Sequence, residues 1–183
     1  RRVAPTWFRP TNRRDAKCGA GPSGSPVVTA MTGMPLARVR RAIEAVEDPE
    51  LPQVTIGDLG IVRSVAVDGG VARAALTPTF TGCPAMGVII EDVGTAIETL
   101  GLRPAIETVL APAWSPDWIT ADGRRKLLEA GIAPPVGSGG QDLDTLLSLP
   151  SPCPRCGSIR TRRLSEFGAT ACKAPHVCDA CKE

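Results

Sequence analysis

Two Cys-x-x-Cys pairs near the C-terminal end, Cys153-Pro-Arg-Cys156 and Cys178-Asp-Ala-Cys181, constrain this chain more than any other feature. Twenty-one residues separate them. Each pair presents two sulfurs on one side of a tight knuckle, and two knuckles complete the four soft ligands that tetrahedral zinc takes at ~2.3 Å. A segment this short cannot bury a core of its own, so bound metal must supply its folding free energy. The predicted arrangement is a zinc ribbon, with short strands drawn from Arg160 to Leu164 and Gly168 to Lys173. Iron or a cluster would use the same thiolates. A fifth thiol, Cys172, and the only histidine, His176, lie between the knuckles. Either is able to replace a cysteine, to serve as a transient ligand or simply to pack. For His176 packing is the favoured reading, because Pro175 restricts the backbone and four thiolates already satisfy zinc.

Five of the seven cysteines fall in the last 31 residues, the total is odd, and the Arg-rich head has no apolar stretch of signal-peptide length. Paired thiols in that setting favour metal over disulfides, and a reducing cytoplasm is the expected location. Charge divides the chain the same way. Residues 1–35 carry six basic side chains and one acidic, residues 36–149 nine and fifteen, and residues 150–183 six and three. The net charge over all 183 residues is only +2, which gives no case for binding nucleic acid. Apolar runs such as Val88-Ile89-Ile90 fall far short of the ~20 residues of a bilayer span, so no membrane association is expected. Residues 1–34 are broken by Pro and Gly and lack an apolar period, and they read as a disordered basic extension, with Met31 or Met34 as candidate starts.

The body begins at Pro35. Leu36, Val39, Ile43 and Val46 recur at helical spacing, predicting a helix from Pro35 to Val46. Ile61 to Val67 and Val71 to Leu76 flank Asp68-Gly69-Gly70, a hairpin signal. Pro84 then opens a helix through Met86, Val93, Ile97 and Leu100 that Gly101 ends. Ala105 to Leu110 reads as a third strand and Ala121 to Ala130 as a third helix. This order predicts an α+β fold over residues 35–133, a small mixed three-stranded sheet covered by helices, followed by the C-terminal zinc ribbon at 151–183. Residues 134–150, with Pro134-Pro135 and Gly137-Ser-Gly-Gly140, form a linker in which Asp142 to Leu149 makes a helical turn or two.

Two loops of the body carry candidate chemistry. In Thr77-Pro-Thr-Phe-Thr-Gly-Cys83-Pro84, Gly82 permits a sharp turn and Pro84 takes the first helical position. Cys83 then sits at a helix N-terminus, where the dipole favours a thiolate and lowers its pKa. A thiolate there is a nucleophile or a soft ligand, although a buried cysteine at such a turn is also common. In the loop Asp48 to Gly60, Asp58 lies between Gly57 and Gly60 immediately before the first strand, and its carboxylate either caps a neighbouring helix or approaches Cys83. No Ser-His-Asp set, glycine-rich phosphate loop or well-placed carboxylate pair accompanies these loops, which argues against a self-sufficient hydrolase or kinase.

Asp48-Pro-Glu-Leu-Pro52, Asp58-Leu-Gly-Ile-Val62 and Thr77 to Met86 together resemble the small α+β domain of SufT-like and cytosolic iron–sulfur assembly proteins. The continuation resembles the phenylacetate-degradation family PaaD, also called PaaJ. It comprises Ala113-Trp-Ser-Pro-Asp-Trp118, Gly123-Arg-Arg-Lys-Leu127, Gly131-Ile-Ala-Pro-Pro135, Cys153-Pro-Arg-Cys-Gly157 and Ser165 to Lys173. The resemblance covers residues 35–183. It implies an accessory or maturation component of the phenylacetyl-CoA ring 1,2-epoxidase (oxygenase) system of aerobic phenylacetate catabolism. In that system other subunits carry the diiron centre and the flavin/iron–sulfur reductase. Carried over, Cys83 becomes the reactive or cluster-binding thiol for transient iron or an iron–sulfur cluster, Asp58 its neighbour in the motif, and Cys153, Cys156, Cys178 and Cys181 structural zinc ligands. The implied partners are the oxygenase and reductase subunits, with a homodimer left open and no catalytic activity of its own. The alternatives are a structural epoxidase subunit with the ribbon as docking module, and a thiol-dependent enzyme using Cys83. The family pattern continues past the second knuckle into an aromatic segment with a further Cys, so the ribbon is expected to be truncated at Glu183. Pro175-His176 replaces an aliphatic-aromatic pair of that pattern, and the Arg-rich head has no counterpart in it.

Overall fold

A computed structural model of the chain describes residues 34–135, 151–170 and 172–183. The expected disordered head before residue 34 and the expected helical turns of the linker lie outside the described residues. The body runs α1 (Leu36–Glu44), β1 (Glu47–Asp48), β2 (Leu51–Thr55), β3 (Val62–Asp68), β4 (Val71–Leu76), α2 (Met86–Thr99), β5 (Arg103–Thr108), a 3-10 turn at Pro116–Trp118 and α3 (Ala121–Glu129). The ribbon adds β6 (Thr161–Arg163) and β7 (His176–Cys178).

The predicted mixed three-stranded sheet is present, in the order β3-β4-β5. β3 and β4 pair antiparallel around Asp68-Gly69-Gly70-Val71, and both glycines of the turn take positive φ. β4 and β5 pair parallel, with Val71 opposite Arg103 and Leu76 opposite Thr108. A parallel pair needs a crossover, and α2 supplies it. On the inner face of β4, Ala72, Ala74 and Leu76 are buried against the apolar stripe Ile89, Val93 and Ile97 of α2, with Val39 and Ile43 of α1 completing the layer. Ile56, Leu59 and Ile61, from the loop before β3, plug the end of this core.

Several expectations need correction. The loop after α1 forms an unpredicted hairpin: β1 and β2 pair antiparallel, Glu47 with Thr55 and Asp48 with Leu51. The second helix starts at Met86 rather than Pro84, because Cys83 to Ala85 are spent on turns, with Cys83 N–H bonded to Phe80 O and Met86 N–H to Cys83 O. The third strand begins at Arg103, two residues before the expected Ala105, because β4 continues its parallel register to Val71. In the ribbon, the described residues of the expected strand at Gly168 to Lys173 are not in a strand: Gly168 N–H bonds Lys173 O at 2.6 Å, and the second strand is His176–Cys178 instead.

Candidate functional site: a four-thiol metal centre and the Cys83 loop

The ribbon knuckles fold alike. In the first, Cys153 O accepts from Gly157 N–H at 2.8 Å; in the second, Cys178 O accepts from Lys182 N–H at 2.8 Å. Gly157 and Lys182, each following its pair's second cysteine, both adopt left-handed φ, +71° and +68°. Antiparallel pairing of Thr161 with Cys178 brings the knuckles together. The four sulfurs lie within 4.8 Å of one another, with Cys153–Cys181 and Cys156–Cys178 each at 3.6 Å. A tetrahedron of ~2.3 Å metal–sulfur bonds has edges of about 3.8 Å, whereas a disulfide needs about 2.05 Å. The four-cysteine set fits a metal ion. The backbone N–H of Cys181 chiefly lowers the Cys178 thiol, to about 6. Cys172 and His176 lie outside this set among the described residues. His176 opens β7 opposite Arg163, where burial and then the Arg163 cation keep its imidazole below the usual range.

Asp58 sits in a clamp. Its carboxylate accepts from Thr55 N–H at 2.9 Å and from Lys126 Nζ at 2.7 Å, and its backbone O accepts from Thr120 N–H at 2.9 Å. Burial raises its pKa, but Lys126 and Thr55 outweigh that and hold the carboxyl below its ordinary value. Thr120 caps α3 by accepting from Gly123 N–H, so Asp58 and the helix start are one assembly. The two tryptophans strap the same loop down. Trp114 Nε1 donates to Leu59 O at 2.8 Å, and the Trp118 ring lies under the Arg63 guanidinium at 3.7 Å. Close approach explains two glycines here. A Cβ on Gly60 would come 2.6 Å from Trp118 Cβ, and one on Gly123 would come 2.6 Å from Asp58 O. Its carboxylate ties the loop before β3 to α3 through Lys126, while the cap of that helix is Thr120.

Cys83 is half-buried on the loop between β4 and α2, just after Gly82 at φ +84°. Burial pushes its thiol up, against the lowering expected from the sequence. The Ala85 and Met86 amides do act in the expected direction, but burial outweighs them, with a smaller upward push from the Asp48 carboxylate. The sequence does not assign Asp48 to this loop. Asp48 ends β1, is buried, and accepts from Glu50 N–H at 2.8 Å through Oδ1; burial pushes its carboxyl up. The signal for Asp48 was present in the acidic Asp-Pro-Glu turn. The ribbon touches the neighbouring β1–β2 turn, where Lys173 Nζ donates to Glu50 O at 2.8 Å. At the root of the Cys83 loop, Thr77 is buried with its hydroxyl unpartnered among the described residues. No helix among these residues is long and apolar enough to cross a membrane.

Comparison with known proteins resolves the chain into two matched parts. Residues 36–109 match the family model described as iron-sulfur cluster assembly protein, and residues 143–183 match the PaaD zinc beta ribbon domain. An Escherichia coli K12 protein provisionally named as a subunit of 1,2-phenylacetyl-CoA epoxidase is 43% identical over 77% of this chain and 84% of its own length. The Fe-S protein maturation auxiliary factor of Porphyromonas gingivalis is 34% identical over 50% of this chain and 87% of its own. YitW of Bacillus subtilis, also named an Fe-S protein maturation auxiliary factor, is 37% identical over 42% and 74%. An iron–sulfur assembly domain joined to this particular ribbon, in a chain 43% identical to that E. coli protein over 84% of its length, means that the chain belongs to the PaaD family of phenylacetyl-CoA epoxidase proteins.

Proposed function

We propose that the protein is an accessory maturation factor for a phenylacetyl-CoA ring 1,2-epoxidase system, holding iron or an iron–sulfur cluster at Cys83 in transit to an oxygenase or reductase component. The observation carrying this reading is that the iron–sulfur assembly match, residues 36–109, spans Cys83 within a chain 43% identical to a protein named as an epoxidase subunit. The relatives named as maturation factors support the same role. Chemically, Cys83 lends one soft sulfur at the margin of the apolar core. Delivery is ligand exchange: an incoming thiol of the recipient loses its proton and bonds iron, the Cys83–iron bond breaks, and Cys83 takes up a proton. No electrons change hands. The protein is a carrier in this exchange, working in a reducing cytoplasm, and its ribbon holds one structural zinc on Cys153, Cys156, Cys178 and Cys181.

Anaerobic reconstitution with iron and sulfide, compared between the wild type and Cys83→Ala, tests the carrier reading. Cluster bound by the wild type and absent from the variant supports it; equal uptake by both overturns it. The word "subunit" in the E. coli relative's name favours a second reading, a structural component of the complex with the ribbon as docking module. Stoichiometric co-purification with the epoxidase, unaffected by Cys83→Ala, would favour that reading instead.

A further inference from the structure

The outer face of α2 carries charge that the chain itself does not answer. Glu91, Asp92 and Glu98 are exposed there beside Val88, which is 46% exposed, and the helix contains no Lys or Arg. Helical spacing puts Val88, Glu91, Asp92 and Glu98 on one stripe about 15 Å long. None of the ion pairs among the described residues engages these three carboxylates. Glu98 stands one residue from the end of the helix, where the dipole opposes a negative charge and favours a cation. Thr95 and Thr99 spend their hydroxyl protons on Glu91 O and Thr95 O, so they offer the acids none. The ribbon has the opposite surplus. On β6, Arg162 stands opposite Val177, on the face away from the Thr161–Cys178 pair, and two-residue alternation carries Arg160 and Leu164 to the same side. From Arg160 to Leu164 this second stripe is about 13 Å long. Arg160 has no ion-pair partner among the described residues, and Arg162 reaches Asp179 only at 3.7 Å. Leu164 at 58% exposed is flanked by Ile159 at 67% and Phe167 at 56%, a concentration of large apolar side chains that marks a contact surface. Within one chain the ribbon meets the body elsewhere, through Lys173 Nζ on Glu50 O and through Arg155 beside Gly131.

We propose that a second copy of the chain supplies the missing charges: the Arg160–Arg162–Leu164 stripe of one protomer docks on the α2 stripe of its partner, and the reverse contact forms at the same time. The two stripes match in length, are opposite in sign and each carries an apolar side chain among its charges. A reciprocal pair of contacts closes under a two-fold axis, so association stops at a dimer. In each contact Val88 and Leu164 form the apolar centre, and arginines meet carboxylates around it. Charge pairs at such a rim set specificity and are screened by salt. The proposal is independent of the carrier reading and uses neither Cys83 nor the four-thiol centre.

The test is sedimentation velocity on the full, zinc-loaded chain in three forms. These are the wild type, a ribbon-reversed chain carrying Arg160→Glu with Arg162→Glu, and a helix-reversed chain carrying Glu91→Lys with Glu98→Lys. The wild type should dimerise with rising concentration, and more weakly in about 0.5 M than in about 0.05 M salt. Each reversed chain alone should dimerise on the order of a hundredfold less tightly, since acid then faces acid or base faces base. Mixed, the two should form a heterodimer, because each ribbon again meets a helix of opposite sign. Zinc content and a thermal melt equal to the wild type establish that both variants are folded, and the salt series on the wild type needs no variant. A wild type that stays monomeric, or a dimer indifferent to salt, overturns the proposal. So does a ribbon-reversed chain that dimerises like the wild type, or a mixture of the two reversed chains that stays monomeric.

Discussion

Replacing Gly123 with alanine should destabilise the body, although the same change inside a helix ordinarily stabilises it. Alanine is favoured over glycine in a helix interior by about 1 kcal/mol, and Gly123 lies within α3. Its added methyl group would sit 2.6 Å from Asp58 O and 3.0 Å from Asp58 Cβ, where 3.4 Å is the near edge of ordinary contact. Helix and loop must part by about 0.8 Å to relieve the clash. That separation carries the 2.7 Å Lys126–Asp58 bond and the 2.9 Å Thr120–Asp58 bond out to roughly 3.5 Å or beyond, where a hydrogen bond contributes little. Losing most of one charged and one neutral bond costs about 2–4 kcal/mol, so the net loss after the propensity gain is about 2 kcal/mol. Trp114 and Trp118 strap the affected loop, so a thermal melt followed by tryptophan fluorescence reports on it directly. The midpoint should fall by roughly 10 °C. Gly94→Ala is the matched control: its methyl group would meet only Ile106 Cδ1 at 3.9 Å, and the melt should move up by a few degrees. If Gly123→Ala melts at or above the wild type, Asp58 does not buttress α3 as described.

Three further outcomes follow from the same contacts. Thr77→Val removes a buried hydroxyl that has no partner among the described residues and should raise the urea midpoint, by about 1–2 kcal/mol in stability; a lower midpoint would mean that the hydroxyl is satisfied. Asp58, held below its ordinary pKa, contributes stability that is fully present above the unfolded value of ~3.9 and is lost as pH falls through the lower folded value. Asp58→Asn should therefore be less stable at pH 7 and flatten the acid limb of the stability curve, and an acid limb identical to wild type would refute the clamp. Cys153→Ser should abolish stoichiometric metal in the ribbon and its protection from protease, leaving the melt of the body nearly unchanged; full metal retention by that variant would count against the four-sulfur centre.

The parts of the fold that were legible in the sequence are those set by local period. The stripe Ile89, Val93, Ile97 predicts α2, and Asp68-Gly69-Gly70 predicts the turn between β3 and β4, because each needs only near neighbours to specify it. The Cys-x-x-Cys pairs predict the four-thiol cluster for the same reason, each knuckle being a closed local loop. The β1–β2 hairpin was not legible. Pro49 and Pro52 mark a loop, and the strands carry only Val54 and Asp48 to the interior, too little for an alternating pattern. The electrostatics of Cys83 escaped for a different reason. A dipole is visible in sequence, whereas the burial that outweighs it and the smaller push from Asp48, 35 residues before, depend on tertiary packing. Asp58 was recognised as important without its partner, since nothing in the sequence joins it to Lys126 across 68 residues.

The parallel pairing of β4 with β5 bears on the order in which the chain acquires its chemistry. β3 and β4 meet through a two-glycine turn and are available early, while β5 joins only after the crossover from Leu76 to Arg103 has closed. Val109 N–H to Leu76 O and Arg103 N–H to Gly70 O seal the two ends of that crossover. Cys83 lies inside it. During synthesis the thiol emerges ahead of both α2 and β5, so the crossover that carries its loop can close only once residues near 109 have left the ribosome. The strand that anchors the far end of the Cys83 loop's crossover is thus made after the loop itself.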